Sequence, residues 1–448
     1  MNLLHTRAYQ AKQLNHLKQH SYQHRETEDS NVYAPTDKPA MKQNNVRFTH
    51  SIHDIGKESW DILSTSDNPF LRFEFLAALE DCQCIDSPTQ GIPLNSGWIP
   101  HYAIVENEQQ AVVAIAPVFK KLHSYGEYVF DWAWADAYQR HGLQYYPKLV
   151  WAIPFTPSTG PRMVSQGNQT ECTLYHQLIA EGLTDYCQTH DFSGWHCLFP
   201  NSVAQQALAS TNSTVSNTMN RTSCQFHWFN RDNNGEGLTD FTHYLEKFTS
   251  RKRKNIKKER ARLLESGFSF HQKSGFEIDE SDIENFYHCY QLTYAKRNSR
   301  GYLTLAFFKQ LLKTMPEQLL LVQAHYNDTD SRSSKVVANA LYFKDADNLY
   351  GRYWGCLEEF DSVHFECCYY QGIEYCIEHN LSHFDPGTQG EHKISRGFEP
   401  TICLSQHWIS HPEFRQAIDN FLTAEKSDVD HYASQASDYL PFKIQIPN

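Results

Sequence analysis

Hydrophobic residues begin to recur at regular spacing near Phe48, and from there helix and strand periods alternate along the chain. Apolar side chains three or four positions apart predict a helix over 70–79, and alternating runs predict strands over 101–106 and 111–120. An aromatic run predicts a third strand over 127–135. An amphipathic helix over 171–189 and a short buried strand over 194–199 are expected to complete this half.

The same order of elements returns in the second half of the chain. Residues 112–120 and 336–344 both contain Val-Val-Ala in a run ending Phe-Lys, and a Tyr-Gly pair follows each run. A repeat this long is unlike a solenoid repeat and indicates tandem domains. The second-half pattern predicts helices over 282–294, 303–315 and 363–378, a hairpin of strands over 318–326 and 335–344, and further strands over 348–355 and 381–384.

Strands in hairpins with flanking helices predict an α/β (α+β) protein in which each half has a mixed, mostly antiparallel sheet. We place the first domain at 46–235 and the second at 236–410, with a basic helix at 250–262. A C-terminal helix and tail are predicted over 411–448. Residues 1–45 are rich in Gln, His, Asn and Lys and are predicted to form a flexible extension.

Composition supports a folded chain and limits the classes of function. Of the 448 residues 40% are hydrophobic and 14% aromatic, which excludes an intrinsically disordered protein. The 40 Lys and Arg against 52 Asp and Glu give a net charge of -12, which argues against a protein that coats nucleic acid with its whole surface.

The 12 cysteines include no CxxC pair and mostly lie among apolar neighbours, as reduced thiols do. No apolar run approaches the roughly 18 residues that a membrane helix needs. These features predict a cytoplasmic protein without a membrane span.

The densest polar cluster, 384–398, follows a predicted strand. Its glycines would let the backbone approach a ligand, and its side chains offer acceptors, a base and cations. The candidates are Gln389, Glu391, His392, Lys393 and Arg396. A solvated turn whose charges pair with each other is the alternative.

A second cluster lies where the aromatic strand leads into the next helix. Its candidate ligand-binding residues are Arg352, Tyr353, Trp354, His364, Glu366 and Tyr370. The alternative is that the tyrosines belong to the core. Although His, Cys and Glu are frequent here, their order matches no zinc spacing, so we predict no metal site.

Residues 251–262 carry eight cations and one anion. Such a run can bind the phosphates of tRNA or of a nucleotide-linked substrate, and an ordinary solvated helix face is the equal alternative.

Several long motifs together resemble the bacterial FemAB-like family, labelled peptidoglycan biosynthesis/recognition and placed in the GNAT acyltransferase superfamily. The resemblance covers about residues 48–440. The motifs are Ser124–Asp131, Pro154–Pro157 with Gly160–Arg162, Gly351–Gly355, His364–Glu366 with Tyr369–Glu374, and Pro386–Lys393.

The resemblance implies tandem GNAT-like domains and transfer of an acyl or aminoacyl group to an amine, with a small amine or a peptidoglycan precursor as acceptor. Its motifs add Glu127, Asp131 and Arg162 to the candidate substrate-binding residues, together with Trp134. Glu391 and His392 are the candidate bases, because amine attack requires a proton acceptor. Lys393, Arg396 and Arg352 are expected to bind anionic groups.

No tightly bound cofactor is expected, and acyl-coenzyme A or aminoacyl-tRNA is the candidate donor. Gln139, Arg140, Gly142 and Lys148 would hold donor phosphates at a helix start. The loop 139–144 lacks the second small residue of a coenzyme A motif, and 355–363 has no such motif. Both observations argue against acetyl-coenzyme A as the donor.

The alternative function is a non-catalytic module that recognises a peptidoglycan fragment or a partner. Trp132, Trp134 and Trp354 could stack on sugars or rings in that role. If the protein is an enzyme, the denser polar clusters place its site at 352–396.

Overall fold

The computed structural model describes residues 46–87, 95–209, 217–296, 298–328, 333–388 and 390–443. The predicted extension 1–45, the end of the predicted tail and Gln389 lie outside the described residues. None of the described helices is both long enough and apolar enough to cross a membrane.

Some of the helices begin at residues that suit a helix N-terminus. Asn168 and Asp279 form capping boxes at α4 and α8, and Pro412 begins α12. A π-helical segment, Glu366–Tyr370, joins α10 to α11. The helices are α1 (Lys57–Leu63), α2 (Phe73–Asp81), α3 (Trp132–Arg140), α4 (Gln169–Thr189), α5 (Ser202–Ala209), α6 (Phe241–Glu246), α7 (Ser250–Glu265), α8 (Glu280–Ala295), α9 (Leu305–Thr314), α10 (Val363–Phe365), α11 (Gln371–Glu378) and α12 (Pro412–Asp438).

The strands form one large and one small sheet. The small sheet has the order β1-β3-β4-β7, and the large one the order β10-β11-β12-β13-β14-β9-β15-β8-β6-β5-β2. The strands are β1 (Val46–Thr49), β2 (Trp98–Pro100), β3 (Tyr102–Glu106), β4 (Val112–Ala116), β5 (Val118–Lys121), β6 (Lys148–Trp151), β7 (Val164–Ser165), β8 (Gly194–Leu198), β9 (Met219–Phe229), β10 (Phe268–Ser274), β11 (Leu319–Asp328), β12 (Ser333–Lys344), β13 (Asn348–Cys356), β14 (His383–Asp385) and β15 (Glu399–Ile409).

The two halves exchange strands at the centre of the large sheet. β9, from the first half, lies between β14 and β15, and β15, from the end of the chain, lies between β9 and β8. Counting outward from this centre, β14 and β8 hold corresponding positions, and so do β13 and β6. The pairing of β13 with β14 and the pairing of β6 with β8 are both parallel. The large sheet therefore contains strands from both sides of the predicted boundary at residue 235 and is not divided there, so the domain boundaries stay a prediction.

The predicted mixed α/β class, with mostly antiparallel sheets flanked by helices, is confirmed. The second-half elements are confirmed with small shifts in their bounds, and residues 250–262 lie in the predicted helix, α7. In the first half Pro117 separates β4 from β5, because proline has no N–H for a strand ladder.

One predicted strand is wrong. Residues 127–131 form a loop and Trp132 begins α3, so no strand covers 127–135. Gly126 and Tyr128 both have positive φ, which turns the chain away from an extended path. The Tyr-Gly pairs that follow the two runs, Tyr125-Gly126 and Tyr350-Gly351, are therefore not equivalent in structure, since the second pair lies inside β13.

Candidate functional site

The parallel strands β13 and β14 pair only briefly and then separate. Their register joins Asn348 to His383 and ends with Tyr350 opposite Asp385. β13 continues to Cys356 while still paired with β12 on its other side. No strand in the described structure pairs with the other edge of β13 from Arg352 to Cys356, and we call this stretch the open edge. The Trp354 carbonyl accepts a hydrogen bond from the Thr293 hydroxyl (3.1 Å).

A cavity of about 730 Å³ opens at the end of this edge. We call it the edge cavity; its lining includes Thr293, Trp354, His364 and Phe365, and the loop 358–361. That loop carries Glu358, Glu359 and Asp361, whereas Lys296 is the one Lys or Arg among the described lining residues. The lining of the edge cavity is thus rich in acidic and aromatic side chains, and two of its carboxylates are paired, Glu359 with Lys296 (3.7 Å) and Asp361 with Arg262 (3.1 Å).

The loop after β14 closes over the start of the open edge. Lys393 is 1% exposed and its Nζ donates to the Gly387 carbonyl. Burial lowers the pKa of Lys393 to about 8, although the nearby Asp385 carboxylate acts in the opposite direction. Lys393 is therefore buried and bonded to the backbone of the loop, whereas the sequence predicted that its charge would face an anionic ligand.

Two imidazoles and an arginine lie beside the π-helical segment. The His392 ring is within hydrogen-bond distance of the Tyr369 hydroxyl (2.8 Å), and His364 is T-shaped against Trp354. Burial, with the charge of Arg396, lowers the pKa of His392 to about 4 and of His364 to about 3. The Arg396 guanidinium lies 3.5 Å from the Phe365 ring centroid.

The two predicted bases occupy different environments. Glu391 is exposed, and its carboxylate accepts a hydrogen bond from the Tyr432 hydroxyl of α12 (3.0 Å). His392 is packed among aromatic rings. Their roles as bases stay predictions.

Helix α7 binds directly to this site through its second half. Arg260 forms ion pairs with Glu366 (2.7 Å) and Glu374 (2.6 Å). Glu259 accepts hydrogen bonds from Tyr370 (3.0 Å) and Arg396 (2.8 Å). Two predicted ligand-binding residues, Glu366 and Tyr370, are therefore engaged by α7.

The first half of α7 is different. Its cations are largely exposed, and the ion pairs that α7 makes within the described structure come from Glu259, Arg260 and Arg262. The first turn contains no acidic residue, although cations are unfavourable at a helix N-terminus. We call this surface the basic face; it comprises Arg251, Lys252, Arg253, Lys254, Lys257 and Lys258.

The predicted first-half binding residues are buried away from ligands. Lys148 is fully buried and donates to Glu127 (2.8 Å) and to Asp131. Burial opposes the charged form of Lys148, but the Asp131 and Glu127 carboxylates outweigh it and raise its pKa to about 12. Trp134 packs on His407 and Arg221. These groups form a buried ion-pair cluster, and their role in substrate binding stays a prediction.

Arg162 and Tyr353 are also structural. Arg162 is 2% exposed and donates to the backbone carbonyls of Leu198 (2.7 Å) and Ser158 (2.6 Å). The Tyr353 ring packs between Tyr290 and Phe308. Arg352, in contrast, reaches across to the first half and donates to the Phe155 carbonyl (3.0 Å).

The predicted placement of the donor-phosphate residues at a helix start is wrong. Gln139 and Arg140 end α3 and Gly142 follows it, so they lie at a helix C-terminus, which repels anions. Arg140 pairs with Asp136 one turn earlier, and Lys148 is buried. The sequence motif could not show which end of the helix it marks.

The sequence also missed a polar group between the two halves. A cavity of about 380 Å³, which we call the seam cavity, is lined by residues from both halves, including Asn68, His227, Asn348 and His383. His227 and His383 are 2.9 Å apart, and Asp385 lies 3.7 Å from His227. Single histidines in separate strands carry no spacing signal, so no sequence pattern pointed to this pair.

The described residues contain no group of three or more His, Cys, Asp or Glu side chains placed to hold a metal ion. The 12 cysteines are free thiols.

Comparison with known proteins gives one family and several solved structures. The FemAB-like family model, described as peptidoglycan biosynthesis/recognition, matches residues 51–444. No protein of curated function matches.

Three solved structures illustrate the likeness. FemX is 10% identical with a TM-score of 0.47, covering 83% of this chain and 100% of its own. The C-terminal domain of a putative lysylphosphatidylglycerol synthetase from Agrobacterium fabrum is 8% identical with a TM-score of 0.46, covering 82% and 96%. A tandem GNAT protein from the clavulanic acid biosynthesis pathway is 8% identical with a TM-score of 0.37, covering 82% and 99%.

Proposed function

The chain belongs to the FemAB-like family of peptidoglycan biosynthesis/recognition, and from this membership we propose that it transfers an acyl or aminoacyl group to an amine of a cell-wall precursor. The reaction is placed in the second half, at the open edge of β13.

The difference between the two parallel strand pairs carries this proposal. β6 ends at Trp151, where its pairing with β8 also ends, whereas β13 continues from its last pair with β14 to Cys356. An unpaired strand edge offers backbone N–H and C=O groups to an extended, amide-containing ligand. Of the two corresponding strands, β13 is the one that could hold a donor chain in this way.

Acyl transfer also requires a group that stabilises the oxyanion. The Nε of Arg352 is buried and makes no hydrogen bond within the described structure. Its Nη2 is held by the Phe155 carbonyl, so the guanidinium is anchored while its Nε donor is unused. A preorganised cation with a spare donor beside an open strand edge fits the developing charge of a tetrahedral intermediate.

The charge of the edge cavity affects the choice of donor. Glu358, Glu359 and Asp361 line this cavity, but Glu359 pairs with Lys296 (3.7 Å) and Asp361 with Arg262 (3.1 Å), so they would repel the diphosphate of coenzyme A only weakly. The basic face of α7 offers six cations for a polyanionic carrier, and α7 is bonded to the site through Arg260 and Glu259. An aminoacyl-tRNA donor is therefore the preferred variant.

A second candidate is recognition without turnover. Tyr125 and Phe130 are 59% and 55% exposed, and the Tyr125 ring lies 4.8 Å from that of Trp132. Exposed aromatic faces of this kind stack on sugar rings.

Amide formation tests the proposal directly. The protein is incubated with an amine-bearing peptidoglycan precursor and either aminoacyl-tRNA or acetyl-coenzyme A, and the product mass is measured. Arg352→Gln should lower turnover by about 100-fold or more, on the scale of a lost oxyanion donor. Arg231→Gln, an exposed arginine paired with Glu399, is the matched control and should leave the rate unchanged. Binding of the precursor without product would favour the recognition role.

A further inference from the structure

The seam cavity contains a pair of histidines whose hydrogen bonds form a chain. His383 Nδ1 lies 3.0 Å from Asn348 Oδ1, His383 Nε2 lies 2.9 Å from His227 Nδ1, and His227 Nε2 lies 3.2 Å from Gln225 Oε1. The two outer links end on amide oxygens, and the middle link joins two ring nitrogens.

The orientation of both outer amides is fixed by their other contacts. The Gln225 Nε2 donates to the Pro157 carbonyl (3.1 Å), and the Asn348 Nδ2 donates to the Asp345 carboxylate (2.8 Å). A carbonyl and an ionised carboxylate only accept hydrogen bonds. The oxygens of Gln225 and Asn348 must therefore face the imidazoles, and both of them need a proton from a ring nitrogen.

Counting protons shows that this chain is incomplete when neutral. Its three links each need one proton, but two neutral imidazoles carry only one N–H each. One further proton would complete all the links and create a cation. The Asp385 carboxylate, 3.7 Å from His227 Nε2, is placed to stabilise that cation.

The surrounding charges determine how firmly such a proton is held. Burial lowers the pKa of both rings, to about 4 for His227; Asp385 raises both, Asp345 raises that of His383 and Lys393 lowers that of His227. At neutral pH the pair therefore lacks the extra proton and can accept one, and it releases that proton readily afterwards.

The other half contains a pair of histidines that needs no extra proton. His196 and His407 lie on β8 and β15, the strands that correspond to β14 and β9, with their Nδ1 atoms 2.6 Å apart. Their outer partners are hydroxyls, those of Tyr145 (3.4 Å) and Ser405 (2.8 Å). Because a hydroxyl can donate or accept, two neutral rings satisfy every link.

The composition of the seam cavity favours an amine ligand. Asp67 and Asp345 line it, together with hydroxyl and amide side chains, and no lysine or arginine is among its described lining residues. Carboxylates with no opposing cation attract an ammonium group and repel phosphates and carboxylates. Asn348 and His383, which form one end of the proton chain, both line this cavity.

We propose that the seam cavity binds the acceptor as an ammonium ion, and that the His227–His383 pair takes its proton. The proposal rests on the proposed acyl transfer. The ammonium gives one proton to the pair, and the freed lone pair of nitrogen forms the new C–N bond to the carbonyl of an acyl or aminoacyl ester or thioester. The leaving oxygen or sulfur departs with its electron pair and takes a second proton from that nitrogen, and the pair then returns the first proton to water.

Kinetics of two matched variants test this assignment. His227→Gln should lower kcat by about 100-fold, as loss of a general base does, with KM for the donor unchanged. His196→Gln alters the corresponding buried pair and should change kcat only a few-fold. Equal losses in both variants, or a normal rate in His227→Gln, would overturn the assignment.

A second measurement does not depend on turnover or on the folding of variants. Histidine-selective ¹⁵N NMR of the wild-type protein, titrated from pH 8 to 4, should show the His227–His383 pair taking up about half a proton by pH 4, in keeping with the pKa of His227. The His196–His407 pair should stay neutral, since burial lowers the pKa of His196 to about 3. Absence of any proton uptake by the first pair down to pH 4 would overturn the proposal, whereas proton uptake without any amide product would contradict only the proposed function.

Discussion

At the scale of single residues, Lys393 shows how burial changes a charged side chain. Its folded-state pKa of about 8 lies below the ordinary value of 10.5, so the unfolded chain binds this proton more tightly. Between these two pH values the unfolded state carries one proton more, and stability must rise with pH there.

Lys393→Met should remove that rise. The free energy of unfolding of the wild type should increase relative to the variant between pH 8 and 10.5, by up to about 3 kcal/mol. Urea denaturation at pH 7.5, 9 and 10 measures the difference. Lys313→Met, at an exposed position of α9, should follow the wild type at every pH. A constant gap between wild type and Lys393→Met would show that burial does not govern this lysine.

Glu391 distinguishes two accounts of the base. If Glu391 is the general base, Glu391→Gln should lower turnover by about 100-fold. Its exposure and its hydrogen bond from Tyr432 favour a smaller role, so with the His227–His383 pair as acceptor we expect a change of only a few-fold. Steady-state rates of amide formation decide between these outcomes.

At the scale of elements, α7 connects the basic face to the π-helical segment, and π-helical turns often mark functional sites. Arg260→Met would leave the Glu366 carboxylate, 3% exposed, without its cation. Breaking a buried pair in this way should destabilise the protein by about 3 kcal/mol or more, measured by chemical denaturation. Arg262→Met removes an exposed pair with Asp361 from the same helix and should change stability little.

The basic face makes a separate prediction about salt. Changing Lys254, Lys257 and Lys258 together to Gln should weaken binding of aminoacyl-tRNA and reduce the slope of log affinity against log salt by about 2 to 3. Calorimetric or filter-binding titrations between 50 and 200 mM salt measure the slope. An unchanged slope would mean that α7 is only a solvated surface.

The periodic elements were predictable because their cause is local. The helix over 171–189 and the hairpin near 318–344 follow from spacing alone, and both are confirmed. The strand predicted over 127–135 is wrong because an aromatic, hydrophobic run has the composition of a strand. The positive φ of Gly126 and Tyr128 is a backbone property that composition does not reveal. The candidate loop after β14 was found, but the buried contacts of Lys393 depend on tertiary packing.

At the scale of the whole molecule, the exchange of β9 and β15 joins the halves and creates the seam. His227 comes from β9 and His383 from β14, so the pair exists only because the strands are exchanged. Two further hydrogen bonds join the halves: Arg352 donates to the Phe155 carbonyl, and the Ser158 hydroxyl donates to Asp385. Long-range pairing of this kind leaves no local pattern in a sequence.

This organisation divides the roles of the two halves. The first half supplies Phe155 and Ser158 as supports and His227 as one member of the histidine pair, while β13 supplies the open edge. The buried ion pairs of Lys148 rigidify the half that lacks such an edge.

The most direct test of the proposed site is amide hydrogen exchange with and without aminoacyl-tRNA. A bound donor should slow exchange at Arg352–Cys356, because its chain pairs with the open edge of β13. Exchange at Leu149–Trp151, the corresponding strand in the first half, should not change. Protection confined to β6, or no protection of β13 at donor concentrations that support amide formation, would contradict transfer at this edge.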